Sequence, residues 1–426
     1  MTTYFVALIV GGVAFSADLA RGDTGEPPIF SLSGFGTLGA VRSSEHEADF
    51  VNSINQPTGA GYTRSVDIGP DSKLGIQLNG NFGERLSGVV QVVSQHQFDN
   101  SYAPKVEWAN LKYQMTPDWN IRGGRVALPV GMVSDYRLVG YSSPWVRPPL
   151  EAYSIIPVTS IDGVDSTWRS HFGGATNSLQ GLVGEFHNKF PNGESLDASD
   201  AWGVGDTLEY HSWSLRASVA STRVKIRSSQ TDLLFNGLME FGQTLSAVPG
   251  LEGYGAQSLG MADRYAVDGG RIRSLAIGAS YDEGPWLLMA EWIRLVGTGV
   301  LADNTGAYVT AAYRMGQFTP YVTLSRLRST VPDEQGITTM GLPAPLAQNA
   351  AALNAGVQTI LSGEQVSQSA LSLGIRWDLR KNVDLKVQYD HMKLGAGSGG
   401  QLTNYQPGFT PGGSLNLLSL ALDFVF

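Results

Sequence analysis

The chain has 426 residues, a formal net charge of −9 and only 16% charged residues, so it carries no basic stripe able to neutralise phosphates, and nucleic acid is excluded as a partner. The cysteine count of zero removes disulfide frameworks, thiol nucleophiles and Cys-ligated metal centres. Gly 52 and 10% aromatics point away from an ordinary charge-rich soluble protein, and at this length one large closed β-barrel is a single domain where soluble folds would need two or three.

Near the start, Tyr4 to Phe15 is continuously apolar, and the small residues Ala14, Ser16 and Ala17 mark its end. It is too short for a transmembrane helix and has the form of a signal-peptide core, which predicts a leader over 1–17 and a short segment over 18–29 before the folded domain, 30–426. From Phe30 onward, stretches of alternating polarity are bounded by Gly, Pro, Asn or Asp. The pattern predicts strands over 30–43, 72–82, 86–97, 106–115, 119–128, 164–172, 178–189 and 201–211. It continues over 213–226, 272–281, 286–296, 305–315, 318–328, 368–379, 383–393 and 414–426. Helical spacing of apolar residues interrupts it twice, over 231–245 and 345–361, both inside long connections.

Connections alternate strictly between tight turns and long loops, as in an all-β, antiparallel up-and-down barrel with one plain and one elaborated rim. Aromatic residues gather at the tight-turn ends: Phe82, Tyr113, Trp119, Tyr210, Trp213, Trp286, Tyr313, Phe318, Trp377, Phe424 and Phe426. Such rings settle where hydrocarbon meets water, so this is one aromatic belt of a membrane barrel, and the apolar alternate positions between would face lipid. An open sheet edge in hydrocarbon leaves N–H and C=O groups unpaired at several kcal/mol each, so the last strand must meet the first. In that last strand Leu418, Leu420 and Leu422 are expected to touch lipid, with Ser419 and Asp423 in lumen water.

With its first strand LSGFGTLGAVRS (Leu32 to Ser43), the long third loop and the terminal Phe426, the chain resembles the bacterial outer-membrane porins, sixteen-stranded and usually trimeric. The resemblance implies short periplasmic turns, long extracellular loops, a homotrimer embedded in outer-membrane lipid, and a third loop, here 129–163, folded into the lumen as a constriction. It also implies that Phe426 is read by the barrel-insertion machinery during assembly.

The constriction loop carries Asp135, Arg137, Arg147, Glu151 and Asp162, and the inward phase of the strands carries Lys112, Arg122, Arg169, Arg216, Arg314, Arg376 and Lys386. A basic wall facing an acidic loop sets up a transverse field that orders water and favours polar solutes. The alternative is that these charges only solvate and brace the lumen. Asp206 falls on the lipid-facing phase of its strand, so either the register slips there or another protomer covers it.

Gly34, Gly36 and Gly39 spell G-x-G-x-x-G, but a strand continues where a nucleotide site needs a helix, so these glycines serve wall curvature or close packing. The six histidines show no metal-ligand spacing, and neither a cofactor nor a metal is expected. The sequence therefore favours passive diffusion of small hydrophilic solutes and ions through a non-enzymatic channel, with an anion-preferring channel as the alternative. An outer-membrane hydrolase and a receptor or adhesion scaffold are the rivals from other classes.

Overall fold

A computed structural model describes residues 29–266 and 268–426. The expected leader and most of the segment after it lie outside the described residues. Sixteen antiparallel strands form one closed barrel. They are β1 (Phe30–Ser43), β2 (Lys73–Asn81), β3 (Leu86–Gln95), β4 (Lys105–Thr116), β5 (Trp119–Ala127), β6 (Ser160–Phe172), β7 (Ala175–Lys189) and β8 (Ser195–Tyr210). The second half is β9 (Trp213–Arg227), β10 (Asp268–Glu283), β11 (Trp286–Val296), β12 (Asp303–Tyr313), β13 (Phe318–Thr330), β14 (Ser367–Arg380), β15 (Val383–Leu394) and β16 (Ser414–Val425). Each coincides with a stretch of period-2 polarity; most strand ends fall within four residues of the sequence expectation, and β8 begins six residues earlier, at Ser195.

Period 2 works here because each wall residue has one of two solvents. Outward positions such as Leu38, Leu74, Val90, Leu215, Val309, Leu324, Leu373 and Leu418 are exposed large hydrophobics. The belt at the tight-turn rim also forms: rings pair across neighbouring strands, Trp286 with Tyr313 at 4.8 Å and Phe318 with Trp377 at 5.7 Å between centroids, and Phe424 stacks on Phe426 along the terminal stretch at 6.5 Å.

Closure runs through β1 and β16, with Phe35 opposite Val425 and Ser43 opposite Leu417. The last residue completes the seam: Gly34 N–H donates to the Phe426 carbonyl at 2.9 Å, and Phe426 N–H donates back to the Gly34 carbonyl at 3.0 Å. A Cβ on Gly34 would collide with the Phe426 ring, and one on Gly36 with the Phe424 ring. The two glycines of the apparent nucleotide fingerprint are therefore shelves for the terminal aromatic rings, a close approach that only glycine permits.

Long connections fill the opposite rim. α2 (Ser229–Ser246) and α3 (Glu252–Arg264) lie between β9 and β10, and α4 (Ala344–Gly363) lies between β13 and β14. Phe235, Leu238, Phe241, Leu245, Met261, Val357 and Leu361 make a common apolar core for all three helices. Helix α3 is absent from the sequence expectation because Gly253, Gly255 and Gly260 give it weak helical propensity. Packing compensates: a Cβ on Gly255 would collide with Ser246 of α2, so the two helices meet backbone to backbone.

Asp206 keeps its register. It shares the outward phase of Trp202 and Val204, and its Oδ1 accepts from Asn177 Nδ2 at 2.8 Å. A neighbouring amide thus satisfies one oxygen of this lipid-phase carboxylate.

Candidate functional site

The connection between β5 and β6, 128–159, is the loop expected to narrow the lumen; it has a turn at Gly140–Ser142 and α1 (Leu150–Tyr153). The strand β6 begins earlier than its sequence pattern suggested, so Asp162 belongs to the wall. The loop lies against one side of the barrel interior. Its apolar residues Val130, Val133, Trp145, Ala152, Tyr153 and Ile156 pack on Ala276, Met289, Ile293, Tyr308, Ala312 and Tyr321 of β10–β13. The gap left beside Trp145, Arg147 and Glu151 is about 20 Å³, on the scale of one water.

Polar contacts fix the loop in register along this wall. Near its start, Glu291 accepts from Met132 N–H at 2.7 Å and from the Tyr153 hydroxyl. At the turn, Lys386 Nζ donates to the Gly140 carbonyl at 2.7 Å and meets Asp423 at 2.8 Å, while Thr37 donates to the same carboxylate. A Cβ on Gly140 would collide with Asp423, so only glycine lets the turn descend this far. Arg376 donates to the Tyr141 carbonyl at 2.6 Å, lies 4.6 Å from the Tyr141 ring centroid and pairs with Asp378 at 2.8 Å.

Further along, Trp145 Nε1 donates to Thr310 and Thr323, each at 3.1 Å. Arg147 is 4% exposed and is held by Asp71 at 2.6 Å, Asp390 at 3.2 Å and Ser419 Oγ at 2.7 Å. Glu151 accepts from Ser325 and from Gln368, both at 2.7 Å, with no cation beside it, and burial pushes its carboxyl above the ordinary range. Arg137 donates to the carbonyls of Tyr153, Ile156 and Val158, stitching the loop to itself.

The opposite wall differs. Strand register sets Lys112 beside Arg122 and Arg122 beside Asp165 in one row across β4, β5 and β6. A second row runs from Arg169 through Ser178 and Thr207 to Arg216. Lys112 lies close enough to Arg122 and Arg169 for mutual repulsion. Arg122 grips Asp165 with Nε at 2.8 Å from one oxygen, yet leaves 29% of its side chain exposed. Asp135, exposed on the loop, lies close enough to Arg122 to attract it. Arg216 donates to the Pro129 carbonyl at 2.9 Å, where the loop leaves the wall.

The sequence expectation thus separates into groups. Lys112, Arg122 and Arg169 lie near one another, with Asp135 near Arg122, while Arg216 holds the start of the loop through the Pro129 carbonyl. Arg137, Arg147, Glu151, Arg376 and Lys386 are contacts of the loop itself, and Asp423 and Ser419 are 0% exposed beneath it instead of meeting lumen water. Arg314 pairs with Asp282 at 2.6 Å in the tight-turn rim. Asp162 shares the outward phase of Val164 and pairs with Arg125 at 2.6 Å on the outer surface, where it cannot touch a solute in the lumen. Asp71, Asp165 and Glu291 hold this arrangement but were not singled out from sequence. Asp165 and Glu291 left a signal, each being inward in an expected strand, whereas Asp71 precedes its strand.

The fold and the outward-facing apolar wall define the class: a membrane-spanning β-barrel with the architecture of bacterial outer-membrane porins. The anion-selective porin from Comamonas acidovorans superposes with a TM-score of 0.53 at 12% identity, covering 93% of this chain and 99% of that one. The outer-membrane channel DcaP of Acinetobacter baumannii gives 0.51 at 13% identity, with 93% and 97% coverage. In-vitro folded OmpT, an outer-membrane protein of Vibrio cholerae, gives 0.52 at 10% identity, with 95% and 100% coverage. No family model and no curated protein matches the sequence.

Proposed function

We propose that the protein is an outer-membrane porin, a water-filled, non-enzymatic channel through which small hydrophilic solutes and ions diffuse passively. The observation that carries this reading is the division of the interior into a loop-covered wall and a wall left with Lys112, Arg122 and Arg169 side by side. A loop held this firmly narrows the lumen without sealing it. The cations opposite, facing Asp135, set a transverse field biased toward anions. The protomer works as a homotrimer in outer-membrane lipid.

Planar-bilayer recording tests the proposal. Stable open conductance with a reversal potential favouring chloride in a potassium chloride gradient is expected. A silent barrel would overturn the channel reading, and cation preference would overturn the anion bias.

A further inference from the structure

The outward wall is apolar through most of its height, but one sector changes character near the elaborated rim. On β13, Leu324 faces out among the hydrophobics, and the next two outward positions are Arg326 and Arg328, both exposed. Arg328 is directly opposite Thr305, which is opposite Arg294, and Arg326 is opposite Ser369, which is opposite Lys393. With neighbouring strands roughly 4.8 Å apart, Arg294 lies about 10 Å from Arg328 and Lys393 about 10 Å from Arg326, each pair with a hydroxyl between, in a row about 19 Å long.

Their height is also particular. Arg326 follows Phe318 of the aromatic belt by eight residues. At about 3.3 Å per residue and a tilt near 40° the guanidinium lies roughly 20 Å above the belt, at the upper border of an apolar band about 25 Å tall. Arg294 keeps a distant carboxylate, Asp303, at 3.7 Å. Among the described residues no carboxylate pairs with Arg326, Arg328 or Lys393.

A cation there, unpaired and beside hydrocarbon, needs an anion at the same depth. A second copy of the chain is a poor source, because its outward carboxylates Asp162 and Asp206 are already held within their own barrel by Arg125 and Asn177. The outer leaflet provides phosphate at that level, with acyl chains below it to meet Leu324 and Leu371. We infer that Arg294, Arg326, Arg328 and Lys393 form a binding site for a phosphate-bearing lipid of the outer leaflet. Arg326 and Lys393 flank one phosphate and Arg294 and Arg328 a second, with Thr305 and Ser369 donating hydroxyls.

The test uses the full-length barrel in detergent, with bisphosphorylated lipid A as probe and two controls: the same lipid with its phosphates removed, and inorganic phosphate. Each Lys or Arg near a charged surface contributes about 1 kcal/mol, so R326Q/R328Q/K393Q should bind the lipid on the order of 100-fold more weakly. The outward but distant R42Q should match wild type. Both variants should keep wild-type conductance.

Should the triple variant not fold, R328Q alone is expected to lose about fivefold. Affinity within threefold of wild type in the variants, or equal occupancy by the dephosphorylated lipid or by inorganic phosphate, overturns the site. Loss of trimers with unchanged lipid binding also overturns it and assigns this face to a second copy.

Discussion

The two halves of the barrel interior use the same residue types for opposite ends. On β14–β16 the inward Arg376 and Lys386 sit side by side and both are spent on the loop, with Lys386 0% exposed between Asp423 and the Gly140 carbonyl. On β4 and β5 the inward Lys112 and Arg122 are equally adjacent, yet among the described residues neither hydrogen-bonds to the loop, and Arg122 stays part-exposed. The difference teaches that facing inward does not make a cation a pore residue. What decides is whether the loop comes down to meet it, since Arg122 also grips a buried carboxylate, Asp165, and still stays part-exposed.

The sharpest way to break this contrast is Arg147→Ala. Removing one partner of a buried ion pair costs about 3–5 kcal/mol, because the remaining charge is stranded, and here both Asp71 and Asp390 are left. The loop should come off the wall, seen as a large fall in the temperature at which the folded barrel resists SDS and as rapid flicker in single-channel current. Gly34→Leu should cost about 1–3 kcal/mol by displacing the Phe426 ring, and it should lower insertion yield more than conductance. Lys112→Gln should change stability by less than about 0.5 kcal/mol while reducing anion preference measurably, because Lys112 is only part-buried and its nearest charges, Arg122 and Arg169, repel it.

Acidity gives a subtler handle. Burial raises the Glu151 carboxyl above its unfolded value, so the neutral form fits the docked loop better than the charged one. Its contribution to docking is full below the ordinary value of 4.5 and is lost as pH rises through the higher folded value. Current flicker should therefore increase with rising pH across that interval, and Glu151→Gln, which keeps an acceptor without the charge, should abolish this part of the dependence.

Most of the fold was legible because a membrane barrel obeys two local rules, period-2 alternation and tight turns on one rim. Both are written within a dozen residues of each other. The terminal strand and Phe426 show this best, since closure, belt and seam all follow from the same short stretch. The site was legible by half. Inward phase correctly turned Arg376 and Lys386 toward the interior, but nothing near them in sequence says that Gly140 descends onto Asp423. Arg147 likewise finds Asp71 and Asp390 across separations of 76 and 243 residues, which no local pattern encodes. Asp162 was misplaced for a smaller reason: β6 starts at Ser160, so the residue obeys strand phase and points outward.

The central claim is that one wall is wet and the other covered, and the absence of native cysteine makes it directly measurable. Single-cysteine variants Lys112→Cys and Ser419→Cys, treated with a membrane-impermeant, negatively charged thiol reagent during bilayer recording, compare the two walls in one assay. The account predicts prompt modification and a fall in anion current for Lys112→Cys, and no change for Ser419→Cys, which lies under Arg147. Equal, rapid modification of both would contradict it.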